Sequence, residues 1–207
     1  MTSTSAMAMT LWPTPVYEAD LNGLGAGQMN PQLRDLILQA EAKANHTFGV
    51  ISAAKTATDL LTWQHPAVDW LKARIRDAID AMNRDVLEHV ADLNTHPVKA
   101  EAWAVVYRAG GSHREHTHHD SVYSGVYYVQ TGGVGEQGGG RLQLLDPRPA
   151  AIARSASSGV TTIRPRPGMM VAFPSWLPHS VQATLPTETA PRICIAWNAG
   201  YPEESAA

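Results

Sequence analysis

The chain of 207 residues has a single cysteine, two phenylalanines, and 16 lysines and arginines against 19 aspartates and glutamates. One cysteine excludes an internal disulfide framework. Its place in the apolar run Arg192-Ile-Cys-Ile-Ala-Trp197 reads as a buried structural thiol rather than a nucleophile. A net charge of -3 without any long basic run leaves no electrostatic footprint for nucleic acid or for an anionic membrane, so neither is expected as a partner. No apolar run approaches the roughly 20 residues that span a bilayer, and the N-terminus lacks the basic start and continuous hydrophobic stretch of a signal peptide. A soluble, cytoplasmic protein is the expectation. No internal repeat is present, and a hydrophobic content of 44% supports one ordinary domain with one core.

Residues 1–9, small and polar, read as a disordered tail, and 10–207 as a single domain. Within it, 10–97 carries an opening strand and helices that pack on a sheet, and 98–200 carries a β-rich core. Leu11-Trp-Pro-Thr-Pro-Val-Tyr17 suits an edge strand, because its prolines cannot donate to a central ladder. From Asn30-Pro31 onward, Leu33, Leu36, Ile37 and Ala40 recur at helical spacing, which predicts a helix capped by Asn30 and ending near Asn45. Pro66 opens a second helix, with an apolar stripe of Leu71, Ile75, Ile79, Met82 and Val86, stopped by Asn94 and Pro97. The apolar faces of these helices would also suit a homodimer. Beyond residue 98 the pattern changes to short strands near 100–108, 114–119, 122–130, 140–145, 160–165, 169–173, 178–184 and 191–198. Eight such strands predict a mainly β, α+β protein with a jelly-roll core. Thr131 to Gly140 reads as a turn or flexible loop, and its glycines precede no helix that could cradle a phosphate. Residues 147–159 form the longest irregular connection.

What the chain concentrates is histidine: four of its nine fall within residues 113–119, just before the strand-forming run Val122-Tyr-Ser-Gly-Val-Tyr-Tyr-Val129. Side chains at i and i+2 of a strand share a face, so His116 and His118 can present two imidazoles to one ion, with Asp120 next along. By the same count His113 and His119 fall on the opposite face. Imidazole with carboxylate suits iron, zinc, copper or nickel better than magnesium or calcium. His179, in Phe173-Pro-Ser-Trp-Leu-Pro-His179, offers a further ligand from a later strand. The set is then His116, His118 and His179, or His118, Asp120 and His179. Three ligands on one face of an octahedron leave open the three positions that a chelating 2-oxo acid and O2 require. The second carboxylate of such an acid needs a buried cation. Arg192 is the candidate, because a guanidinium stays ionised when buried and grips a carboxylate through two parallel hydrogen bonds. His46, His65, His89 and His96 show no ligand spacing and read as helix-end or surface residues. Trp176 reads as a core or pocket-lining residue.

Taken in order, His116-Thr-His118, Ser124-Gly-Val-Tyr-Tyr-Val129, Leu144-Leu-Asp-Pro-Arg148, Phe173 to His179 and Arg192-Ile-Cys-Ile-Ala-Trp-Asn198, with Leu11 to Tyr17 before them, resemble the Fe(II)/2-oxoglutarate-dependent oxygenases. The particular resemblance is to the bacterial family described as "putative 2OG-Fe(II) oxygenase". It implies a double-stranded β-helix of jelly-roll or cupin-like form, with Fe(II) on His116, His118 and His179. It also implies that Arg192 holds the distal carboxylate of 2-oxoglutarate, that Tyr128 shares it, and that Tyr107 lies near the iron-bound end. The implied reaction consumes O2, decarboxylates 2-oxoglutarate to succinate and hydroxylates a small-molecule or peptide substrate. One departure stands out: most of these oxygenases place a carboxylate where this chain has His118. A neutral set raises the net positive charge of a ferrous site and its attraction for the 2-oxoglutarate dianion; Asp120 is the carboxylate alternative. Two further readings stay open. A three-histidine, cupin-like dioxygenase would chelate its organic substrate directly and turn over without any 2-oxo acid. A non-catalytic jelly-roll module would bind a metal or small molecule without consuming oxygen.

Overall fold

The computed structural model describes residues 13–41, 47–86, 98–132, 139–148, 159–187 and 189–201. The expected tail at 1–9, the first residues of the opening strand, the helix end near Asn45 and the helix stop at Asn94 and Pro97 lie outside the described residues, as do His46, His89, His96 and most of the two irregular stretches. The elements are β1 (Tyr17–Asp20), α1 (Ala26–Glu41), β2 (Val50–Lys55), α2 (Pro66–Val86), β3 (Lys99–His116), β4 (Tyr123–Thr131), β5 (Leu142–Leu145), β6 (Val160–Ile163), β7 (Met169–Pro174), β8 (His179–Val181) and β9 (Arg192–Gly200). The strands form a curled antiparallel sheet in the order β1-β7-β4-β9-β3-β8-β5-β6, with β2 on the free side of β3.

β3 belongs to both walls of the curl. Its residues 99–107 pair with β9, whereas His113 and His116 pair with β8. The sequence pattern predicts a break at 109–113; the structure has a bend within one strand. Gly110 takes φ 73° there. At Gly111 a Cβ would stand 2.7 Å from the Arg108 carbonyl oxygen and 2.9 Å from that of Ser52, an approach only glycine tolerates. Thr184 clamps the bend: its hydroxyl accepts from the Gly111 N–H at 2.9 Å and donates to the Arg108 carbonyl at 2.7 Å. The segment that carries the histidines is therefore aimed by a fixed corner.

Strand alternation then sorts side chains into two cores. Ala102, Ala104, Val106, Tyr127, Ile193, Ile195 and Trp197 pack outward against Leu33 and Ile37 of α1 and Leu71, Ile75 and Met82 of α2. Their neighbours Trp103, Val105, Tyr107, Val126, Tyr128 and Cys194 point into the barrel with Leu142, Leu144 and Phe173. Polar ties fix the helices on the sheet, the Tyr127 hydroxyl donating to Asn30 at 2.6 Å and the Tyr123 hydroxyl to Asn83 at 2.9 Å.

α2 begins at Pro66 as its sequence predicts, and His65 caps it: its Nδ1 accepts from the Ala67 N–H at 3.2 Å. α1 differs. It begins at Ala26, and Pro31 lies inside it. Burial of Leu21 and Ala26 anchors an earlier start and outweighs the ladder bond that Pro31 forfeits. Asn30 is consequently no cap, and its side chain serves Tyr127 instead. β2 was not expected from the sequence.

Candidate metal and co-substrate site

Strand pairing assembles the histidines. His116 of β3 and His179 of β8 are direct antiparallel partners, so their side chains leave neighbouring backbones on one face. Their ring centroids are 4.2 Å apart, and the His118 ring lies 5.1 Å from His116 and 5.3 Å from His179. One ligand atom from each ring falls within 4.8 Å of the others, a group able to hold a metal ion. β3 ends at His116, so His118 is not presented by strand alternation. The extended stretch that carries it is held by its own N–H, which donates to the Ser175 carbonyl at 3.0 Å. The chain turns after His118, leaving Asp120 exposed on an outer cavity rather than in the group.

Hydrogen bonds decide which nitrogens face inward. His116 Nδ1 lies 2.8 Å from the Arg114 carbonyl oxygen and His179 Nδ1 2.9 Å from that of Leu177. A carbonyl can only accept, so both Nδ1 atoms carry the hydrogen and each Nε2 keeps a lone pair for an ion. His118 Nδ1 instead meets the side-chain amide of Asn198 at 3.2 Å, and the other end of that amide accepts from Ser124 at 2.9 Å. Burial first, and then the neighbouring His116, lowers the pKa of His118 to about 4 and that of His179 to about 3. Burial also lowers that of His116. Three neutral imidazoles at neutral pH are the form that binds metal.

Strand parity sends His113 to the far face, yet its ring sits 4.0 Å from that of His116. The register of β3 against β8 shifts between these two residues, and such a bulge resets alternation. Lys55 of β2 lies behind it, with Nζ 3.3 Å from His113 Nε2. No sequence signal marks Lys55. His119 is exposed.

Arg192 opens β9 directly opposite Tyr107 and is 1% exposed. Its guanidinium stands 4.6 Å from the Tyr107 ring centroid and 5.3 Å from that of Tyr128, and it donates to Cys194 Sγ at 3.6 Å. Among the described residues no carboxylate pairs with it. Arg192 Nε and the Tyr128 hydroxyl are buried without a hydrogen-bond partner. Each unmet donor costs about 1–3 kcal/mol, so this pocket has the chemistry of an anion receptor. Burial pushes the Tyr107 and Tyr128 phenols above their ordinary range, which keeps them protonated as donors. A cavity of about 50 Å³ is lined both by the three histidines and by Tyr107, Tyr128 and Arg192. An outer cavity of about 700 Å³ shares His118 and Asn198 with it and adds Lys99, Glu101, Asp120 and Tyr201. Cys194 is buried and free, as its sequence setting suggests. Trp176 is 51% exposed and packs in no core.

Residues 101–198 match the family profile described as "Putative 2OG-Fe(II) oxygenase". The match covers just under half of the chain, and the cofactor and co-substrate that go with that family are Fe(II) and 2-oxoglutarate. A search of curated proteins finds no match. Among solved structures, the fold is similar to a Pseudomonas putida prolyl-4-hydroxylase, with TM-score 0.65 and 18% identity over 91% of this chain and 94% of that one. It is also similar to a Trichoplax adhaerens prolyl hydroxylase (TM-score 0.63, 14% identity, 91% and 83% covered). A third similar structure is HygX from Streptomyces hygroscopicus with nickel and 2-oxoglutarate bound (TM-score 0.62, 14% identity, 92% and 84% covered). The residues present fit the family's two groups. Inward lone pairs on His116 and His179 beside a third neutral imidazole suit a ferrous ion, and an unpaired buried guanidinium beside an unpartnered phenol suits a dicarboxylate. Among the described residues no helix is long and apolar enough to cross a membrane.

Proposed function

We propose that this chain is an Fe(II)- and 2-oxoglutarate-dependent hydroxylase, a single domain over 10–207, in which His116, His118 and His179 hold the metal. Arg192 and Tyr128 bind the distal carboxylate of 2-oxoglutarate, with Tyr107 beside it toward the metal. The observation that carries this reading is the fully buried Arg192, without a carboxylate partner, on the same cavity as a three-histidine group. Bound iron and 2-oxoglutarate supply the oxidising power, with O2 consumed, 2-oxoglutarate decarboxylated to succinate and a substrate C–H bond hydroxylated. The protein's part is binding and orientation. Arg192 offers two parallel N–H donors and Tyr128 a third from its hydroxyl. Apolar walls of Val105, Leu142 and Phe173 keep water from the co-substrate.

The outer cavity, which meets the inner one at His118 and Asn198, is where the substrate enters. Its size suits a small molecule or a peptide side chain. The similar structures include one in complex with a peptide fragment and another with hygromycin B bound, which supports that range. The test is succinate formation with O2 uptake by the purified chain. Both are expected to require Fe(II) and 2-oxoglutarate and to vanish in Arg192→Met. Turnover that proceeds without any 2-oxo acid would favour direct chelation of the organic substrate instead.

A further inference from the structure

We propose that Lys55 is a second anion site of this centre, separate from Arg192, that takes a carboxylate lying beside the metal set. Lys55 ends β2, where it pairs with Val105 just as Ala53 pairs with Tyr107. Val105 and Tyr107 face the barrel interior, and directly paired residues share a face, so Lys55 also faces inward. An ammonium carries three donors and no acceptor. One donor bonds the Phe48 carbonyl at 2.9 Å and another reaches His113 Nε2 at 3.3 Å. The remaining donor has no carboxylate among the described residues.

The placement is built into the fold. Gly49 takes φ 77°, and a Cβ there would stand 2.8 Å from His113 Nε2. Only glycine lets the Phe48 carbonyl and His113 converge on the ammonium. His113 in turn lies 4.0 Å from His116, which sets the cation next to the metal set.

Charge balance points the same way. The inference rests on the reading of the three histidines as metal ligands, and these contribute no negative charge. Ferrous iron, Arg192 and Lys55 together then exceed a 2-oxoglutarate dianion by two positive charges. A half-buried, unpaired ammonium at such a centre calls for an anion. The carboxylate comes either from the metal-bound end of the 2-oxo acid or from a second molecule, the substrate.

The experiment uses the full chain as wild type, Lys55→Met and Lys55→Arg, under anaerobic conditions. Fe(II) is titrated first, then 2-oxoglutarate, then acetate as a monocarboxylate probe on the 2-oxoglutarate-saturated protein, each followed by calorimetry. A loss of 2-oxoglutarate affinity on the order of 10- to 100-fold in Lys55→Met, recovered in Lys55→Arg, supports the proposal with the 2-oxo acid as source. Unchanged 2-oxoglutarate affinity with acetate binding lost in Lys55→Met supports it with a second molecule as source. Equal affinities of wild type and Lys55→Met for both ligands overturn it. Retained Fe(II) binding by Lys55→Met shows that the variant is folded. A wild type that binds no Fe(II) overturns the metal reading itself, so the two failures are distinct.

Discussion

Replacing Arg192 by Met should make the metal-free protein more stable while weakening its response to 2-oxoglutarate. Arg192 is 1% exposed and has no carboxylate partner. Burial of an unpaired charge costs several kcal/mol even after relaxation. Two tyrosine faces return about 0.5–2 kcal/mol each, and the bond to the Cys194 sulfur is a weak one. A net penalty of about 1–3 kcal/mol remains in the apoprotein. Methionine keeps an unbranched apolar stem between Tyr107 and Tyr128 without the charge. The Arg192→Met apoprotein should therefore melt about 2–12 °C higher, at ~2–4 °C per kcal/mol for a chain of this size. With the metal site already saturated by Fe(II) under anaerobic conditions, 2-oxoglutarate at 100 times its wild-type Kd should stabilise the wild type by a further ~2.7 kcal/mol and the variant by far less. Thermal unfolding by circular dichroism with and without the ligands reads both effects. A variant that melts lower than wild type, or one that gains as much from 2-oxoglutarate, would refute the reasoning.

Asn198→Leu removes the partner of His118 Nδ1 and should weaken metal binding on the order of 10- to 100-fold; competition with a chromophoric chelator measures it. The pH response of the apoprotein follows from histidines held below their unfolded value near 6.5, to about 4 for His118 and about 3 for His179, by burial first. Between these values and 6.5 the unfolded chain binds more protons than the folded one, so this stability is complete above pH 6.5 and drains away as pH falls. Urea midpoints at pH 7.5, 6 and 5 should decline in that order, and a rise on acidification would contradict the assignment. In Gly125→Ala the added methyl would run into the buried Trp197 indole, costing about 1–3 kcal/mol by overpacking. An unchanged urea midpoint would mean that the ring has room to move.

The parts of the site that the sequence revealed are those set by local pattern. His116 and His118 stand out by the local density of histidine, His179 and Arg192 lie at the starts of strands that the sequence pattern predicts, and Pro66 marks a helix start by chemistry that needs no tertiary partner. Parity counting failed where a nonlocal register decides. His113 and His116 are three residues apart, an odd spacing that strand alternation sends to opposite faces. The bulge against β8 brings both to the cavity, and nothing in residues 113–116 announces it. Asp120 shared the parity of His116 but lies beyond the end of β3. Lys55 could not be weighed because β2, a strand of Val50-Ile-Ser-Ala-Ala-Lys55, exists mainly through its pairing with β3. The start of α1 was missed for a related reason. Burial of Leu21 and Ala26 is a tertiary effect, and it overrides the signal of Asn30-Pro31.

The central claim is that three neutral histidines and one buried arginine form a single Fe(II) and 2-oxoglutarate site. Its most direct test is an anaerobic Fe(II) titration with and without 2-oxoglutarate, followed at visible wavelengths for the charge-transfer band of a 2-oxo acid chelated to ferrous iron. The account predicts the band at one iron per chain in the wild type, its loss in His179→Ala, and a requirement for far more 2-oxoglutarate in Arg192→Met. Iron binding without any band at saturating 2-oxoglutarate, or a band unchanged in His179→Ala, would contradict it.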